Sequence, residues 1–384
     1  MYAQEADVSA NRTEILSRAQ YLKNIYRFDD ALEILESIRP DNLSSGPVDS
    51  ELLGIIADCH YQNGNMLKAL ELYSALSDCA PENVLYKIRK MQVFYRNKDY
   101  ERCVREGESI IQTDTIPAIV SMIGDTFNQV GQPDSARVYY ELALEVKPGN
   151  ESVASKLGKI LIDEGEYDKA VDLADEILKL NPDSEIMTSL KGLGQYLKED
   201  YEAAAGEFQK LYDQGNGSYQ VAFYLGQSYW HLNMPSQAEG CLLEAWQLDS
   251  SNVNLAYTIA AAKAEENKPF EQEVKPWLDK AVAMVTPSPA LMTNIYRQYS
   301  MGYIQDGDMR GALDNLNKAY ALSPDNLSIM FSIAGVYEKN KDYKTALEWY
   351  ERCLKNTKPD TRLRSFAEES IQYLKEEIFM EEGR

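Results

Sequence analysis

A small residue returns along this chain at a nearly fixed step, and that recurrence limits the possible folds more than any other feature of the sequence. Ala69, Cys103, Ala136, Ala170, Ala204 and Ala238 are spaced at intervals of 34, 33, 34, 34 and 34 residues, and Ala312 and Ala346 are again 34 apart. A period of this size belongs to stacked helical hairpins, in which each repeat buries its apolar face against the next. It also removes the inference that 384 residues make two or three ordinary domains.

Other positions repeat in phase with the first. Twelve residues before the marker stands a small residue in most repeats: Ala57, Gly124, Gly158, Gly192, Gly226 and Ala334. Three residues later comes a large one, as His60, Phe127, Leu161, Tyr229 and Tyr337. A small side chain lets two helices approach closely at their crossing, and a large one a turn later fills the space this leaves between hairpins. Tyr100, Tyr167, Tyr201 and Tyr343 precede their markers by three. Pro81, Pro148, Pro182, Pro324 and Pro359 close repeats, because proline cannot continue a helix. Gly64, Gly131, Gly165 and Gly307 fall at the expected turn between paired helices, where a positive φ is tolerated.

These slots resemble the tetratricopeptide repeat family, as found in multi-repeat bacterial proteins. The best matches are Leu157-Gly158…Tyr167…Ala170…Pro182, Leu225-Gly226…Tyr229…Ala238 and Ala334…Tyr337…Tyr343…Ala346…Tyr350. The resemblance implies an all-α, right-handed superhelical solenoid of about ten helix-turn-helix repeats. Residues 1–46 read as a degenerate first repeat and linker, 47–360 as the solenoid, and 361–384 as a C-terminal capping helix with the stripe Phe366, Ile371, Leu374 and Ile378.

Departures from the pattern carry expectations of their own. The step from Ala31 to Ala69 is 38, and Pro40 to Pro47 reads as a linker. The step from Ala238 to Ala312 is 74, so the repeat near 253–292 is expanded by about six residues. Lys268-Pro269 and Pro287-Ser288-Pro289 predict lengthened loops there. In the third repeat Cys103 and Gly107 stand where Ala and an aromatic are expected, which predicts looser packing.

The formal net charge is −22, which repels phosphate backbones and anionic lipid surfaces. Neither nucleic-acid binding nor membrane insertion is expected, and no apolar run reaches the roughly twenty residues a spanning helix needs. Tyr2-Ala3-Gln4-Glu5 resembles the residues around a signal-peptidase cut in some exported bacterial proteins, giving an exported, periplasmic expectation with the cytoplasm as the alternative. Five cysteines without CxxC spacing imply no disulfide framework and read as buried thiols.

No catalytic signature is present. There is no phosphate loop, no complete GxGxxG after a strand and no HExxH. Two histidines, His60 and His231, cannot build a histidine-rich metal site, and His60 occupies a core slot. With no such signature, and with the family resemblance implying a concave groove that binds a protein or peptide, the chain reads as a non-enzymatic scaffold without cofactor or metal. A small-ligand or catalytic module in the irregular eighth repeat is the alternative, and self-association through end helices is a third reading.

The resemblance implies that the first helix of each hairpin lines the groove. Early repeats place polar residues there, among them Asp58, Tyr61, Gln62, Asp125 and Lys159. Later repeats place Leu193, Tyr196, Phe223, Gln227, Trp230, His231 and Tyr257 on the same face. Aromatic residues of this kind dominate binding hot spots. The partner-binding set is therefore Tyr196, Phe223, Gln227, Trp230, His231 and Tyr257, against the competing reading that some of them fill inter-repeat core. The Lys and Asn pair with which some family members clamp a terminal carboxylate is missing, and residues 1–50 are too short and acidic for a DNA-binding domain.

Overall fold

The computed structural model describes residues 2–38, 49–284, 288–356 and 362–382, all of whose regular elements are helical. The Pro40–Pro47 stretch, Pro287 and Pro359 lie outside the described residues. The chain divides into two compact units, Met1–Met187 and Thr188–Arg384.

In the first unit the helices pair in chain order: α1 (Tyr2–Asn24) with α2 (Phe28–Glu36), α3 (Ser50–Gln62) with α4 (Met66–Cys79), α5 (Val84–Arg96) with α6 (Tyr100–Ile111), α7 (Pro117–Gln129) with α8 (Pro133–Val146), and α9 (Glu151–Asp163) with α10 (Tyr167–Leu180). Beyond α11 (Glu185–Leu197) and α12 (Tyr201–Asp213), the second unit holds α13 (Tyr219–His231), α14 (Pro235–Leu248), α15 (Val253–Glu265), a π-helical turn at Phe270–Val274, α16 (Lys275–Met284), α17 (Pro289–Gln305), α18 (Met309–Leu322), α19 (Leu327–Lys339), α20 (Tyr343–Asn356) and α21 (Arg362–Glu382). Helices α4, α8, α10 and α18 each stop two residues before one of the expected prolines.

The hairpin turns repeat one backbone conformation. Gly64, Gly131, Gly165 and Gly307 have φ of 81°, 75°, 77° and 80°, as expected. Lys98, Glu199, Asn233, Asn267 and Lys341 take the same left-handed conformation at the corresponding places, with φ from 55° to 64°. Asparagine tolerates this region, whereas lysine and glutamate adopt it at a cost of about 1 kcal/mol because the Cβ crowds the backbone.

Hairpins close by size complementarity between residues sixteen apart. Ala57 faces Tyr73 in one core cluster, and Ala334 faces Tyr350 in another. A Cβ placed on Gly124 would lie 2.7 Å from the Tyr140 ring, and one on Gly226 would lie 2.7 Å from Leu242. The third hairpin reverses the sizes. Met91 holds the small slot, and a Cβ on Gly107 would meet Ile123 at 2.7 Å and Met91 at 2.8 Å. The expected looseness is therefore absent: Met91 and Ile123 fill the space Gly107 leaves, and Cys103, Gly107 and Met91 are all buried.

The extra residues of the eighth hairpin do more than lengthen loops. Part of them forms the π-helical turn, which drives Phe270 into a core with Val274, Leu278, Ile295 and Tyr299. The Phe270 ring rests on Gly302 of α17, where a Cβ would lie only 2.1 Å away. Behind it Lys263, 8% exposed, bridges Glu239 and Glu273.

Helix α21 seats Ala367, Ile371 and Leu374 against Ala334, Ala346 and Tyr350. The expected stripe is thus shifted at its start: Phe366 is 46% exposed, and Ala367, which can approach α20 closely, takes the buried position. Among the described residues no two cysteines form a disulfide. Cys59, Cys103 and Cys353 are buried and Cys241 partly so, but Cys79, at the end of α4, is exposed, contrary to the buried-thiol expectation.

Candidate protein-binding surface

The first-helix faces of the two units are chemically different. In the first unit, α3 and α7 carry aspartates on this face that are already paired. Asp58 of α3 accepts from the buried Tyr73 hydroxyl and from Lys23 Nζ at 3.0 Å, with Arg89 Nε 3.6 Å away. Asp125 of α7 accepts from the Tyr140 hydroxyl at 2.7 Å and from Lys156 Nζ at 2.7 Å. Burial and the adjacent carboxylate hold both tyrosine hydroxyls well above their ordinary range, so each donates to its aspartate throughout the physiological pH range. An open cleft of about 380 Å³ lies beside Asp58, between Lys23, Phe28, Gln62 and Arg89.

In the second unit, α13 supplies most of the expected set. Its Ala222, Leu225 and Gly226 are buried on the packing side. Phe223 and Trp230 are half-buried and pack against the cluster built from Ala222, Leu242, Ala245 and Ile259. Phe223 stacks on Tyr219 at 5.5 Å and meets Tyr224 edge-on at 5.2 Å. Tyr257 of α15 is half-buried against the next cluster, beside Tyr296 and Tyr299. Burial raises its hydroxyl pKa, while Arg297 and a hydrogen bond with Gln298 pull the other way.

The remaining members are engaged in packing. Gln227 is 7% exposed and its Nε2 donates to Thr258 Oγ1 at 3.4 Å, joining α13 to α15. Tyr196 lies among Tyr201, Tyr224 and His231, with centroids 5.5, 5.1 and 6.1 Å away. Burial pushes the Tyr196 hydroxyl up to about 12. His231 stacks flat on Tyr201 at 4.1 Å, and desolvation lowers its pKa against the opposing charge of Glu199. The structure therefore groups Phe223 with Trp230, places Tyr257 on the following first helix, and gathers Tyr196 and His231 separately around Tyr201.

Tyr201 was visible in the sequence as the aromatic before a marker, but its contact with His231 could not be read from spacing. Its counterpart in the first unit, Tyr100, makes the equivalent edge-on contact with Tyr95 at 6.1 Å. The Tyr196–Tyr201 pair is thus partly a property of the repeat. Among the described residues no three His, Cys, Asp or Glu side chains are placed to hold a metal, and no helix is long and apolar enough to cross a membrane.

Comparison with known proteins decides the family. One tetratricopeptide repeat profile matches residues 128–193, and a second matches 16–84 and 301–360, together just over half of the sequence. The chain belongs to the tetratricopeptide repeat family. Repeats of this family generally mediate protein–protein interaction and are generally non-catalytic. Among curated relatives, a TPR repeat-containing protein of Methanocaldococcus jannaschii is 22% identical over 313 residues, covering 80% of this chain and 49% of its own length. Anaphase-promoting complex subunit 3 of Schizosaccharomyces pombe is 30% identical over 120 residues, covering 31% of this chain and 17% of that protein. The chain thus spans at most about half the length of these relatives. The crystal structure of the C-terminal part of a TPR repeat-containing protein from Cytophaga hutchinsonii superposes with a TM-score of 0.50 at 16% identity, covering 64% of this chain and 98% of that one, and shares the fold.

Proposed function

We propose that this tetratricopeptide repeat chain is a non-enzymatic scaffold that holds a segment of another protein against the first helices of its second unit. The observation that carries this reading is the row Phe223, Trp230 and Tyr257 on α13 and α15. Each ring is anchored in a core cluster along one edge and keeps part of its surface open. Anchored aromatics lose little side-chain entropy when a partner covers them, which makes them efficient contacts. Gln227, tied to Thr258, acts as the rigid floor between them rather than as a contact of its own. Tyr196, Tyr201 and His231 form the rim.

The proposed partner is a protein segment rather than nucleic acid, since the charge of −22 opposes phosphate. Anaphase-promoting complex subunit 3, a subunit of a larger complex, is a precedent for such repeats within an assembly. The test is a selection of displayed random dodecapeptides on the immobilised full chain, then affinity measurements with Trp230→Ala and Phe223→Ala. Weakening of the selected peptides by both variants supports the reading. Unchanged affinity accompanied by a lowered melting temperature assigns the rings to packing alone and ends it.

A further inference from the structure

Cations are scarce in this chain, 39 against 61 acidic residues. In the second unit the partly or fully buried ones are almost all neutralised. Lys191 pairs with Glu207 at 2.8 Å, Lys268 with Glu266 at 3.2 Å, Lys275 with Glu271 at 2.7 Å, and Arg364 with Glu368 at 2.9 Å, while Lys263 bridges Glu239 and Glu273. Arg297 is the exception. It is half-buried on α17, yet among the described residues no carboxylate lies within 4.0 Å of its guanidinium. Removing a guanidinium from part of its water without a counter-charge is unfavourable, so a half-buried arginine normally finds a partner.

The position of Arg297 matters as much as its isolation. Helices α13, α15 and α17 are successive first helices, α13 touching α15 and α15 touching α17. Tyr257 of α15 packs beside Tyr296, and its hydroxyl is influenced by both Arg297 and Gln298. One helical turn beyond Arg297, Met301 is 53% exposed, an apolar side chain left open on the same face. The row that begins with Phe223 and Trp230 thus continues through Tyr257 to a cation and then a methionine.

We infer that Arg297 receives the side-chain carboxylate of an internal Asp or Glu in the partner segment, whose apolar residues cover Trp230, Tyr257 and Met301. A guanidinium offers a planar fork that matches a carboxylate in two parallel hydrogen bonds. The rings beside it exclude water, which strengthens the pair. The partner is therefore an apolar segment interrupted by an acid, and the acid sets its register on the surface. This inference rests on the groove reading above and specifies the chemistry of its ligand.

The same displayed dodecapeptides test it, because their C-termini are joined to the coat protein and any carboxylate they offer is a side chain. Selection on the full chain is expected to enrich peptides bearing one Asp or Glu among aromatic or aliphatic residues. Arg297→Gln is expected to weaken those peptides by about tenfold, and replacing their acid by Asn to do the same, with little further loss when the two changes are combined. Arg297→Lys is expected to recover only part of the affinity, since an ammonium lacks the fork. Peptides that depend on Trp230 but show no acid, or an acid indifferent to Arg297→Gln, overturn this inference and leave the groove reading standing. Peptides indifferent to Trp230→Ala overturn both.

Discussion

The two units place different chemistry on the same helical positions. On α3 and α7 the first-helix face carries aspartates that are satisfied internally, each by a tyrosine from the second helix of its own hairpin and a cation from a neighbouring one. On α13, α15 and α17 it carries aromatic rings, an exposed methionine and one arginine that has no ion pair among the described residues. A face whose polar groups already satisfy one another gains little from a partner. A face with open rings and an unanswered charge gains both burial and a counter-ion. A shared repeat therefore fixes where side chains point, while the pairing of those side chains decides which stretch is available for binding.

Substitutions that separate stability from binding sharpen this contrast, and the largest effect is expected at the irregular joint of the second unit. Gly302→Ala drives a methyl group into the Phe270 ring and should cost about 3 kcal/mol, read as a lower denaturant midpoint. Because repeats couple mainly to their neighbours, amide exchange should accelerate around α15 to α18 and stay unchanged around α3 to α8. A uniform loss of protection through the whole chain breaks the division.

In the first unit, Asp125→Ala leaves the Tyr140 hydroxyl and the Lys156 ammonium without their acceptor. A loss of about 2 kcal/mol is expected in urea unfolding, with affinity for a bound peptide unaltered. If peptide affinity falls instead, the polar face is a binding face after all. The reciprocal change, Trp230→Ala, should weaken a bound peptide by about 2 kcal/mol, measured by titration calorimetry.

Two smaller effects are expected. His231 has a folded-state pKa below its unfolded value, because stacking on Tyr201 desolvates it. The neutral ring therefore favours folding above the unfolded value near 6.5, and that contribution is lost as the pH falls through the depressed folded value. Melting of the second unit should show a shallow decline on acidification below about pH 6.5 that His231→Phe flattens. Glu199→Gly relieves a left-handed residue with φ of 64° and should add about 0.5 kcal/mol, visible as a small rise in melting temperature.

The features legible in the sequence are those that periodic packing imposes. Ala69, Ala136, Ala170, Ala204 and Ala238 are all 0% exposed because two helices cross at each. The prolines and the four turn glycines mark boundaries through covalent geometry that needs no tertiary context. The exchange of sizes between Met91 and Gly107 was hidden, since each looks anomalous alone and only their contact explains both. The left-handed turns at Lys98 and Glu199 were hidden because hairpin closure overrides local preference there. At the candidate surface, spacing indicated which helix face Phe223, Trp230 and Tyr257 occupy. It could not show that the Gln227 amide bonds to Thr258, or that Arg297 has no ion pair among the described residues.

The size match between residues sixteen apart has a bearing on how such a chain can grow. Where both halves of the match lie inside one hairpin, as at Gly124–Tyr140 and Gly226–Leu242, a duplicated hairpin carries its own lock and key and inserts without repacking its neighbours. The Phe270–Gly302 contact does not obey this rule, because the ring belongs to the eighth hairpin and the hollow to the ninth. Those two hairpins pack as a block, and a recombination boundary between them would leave a ring without a seat and a glycine without a ring.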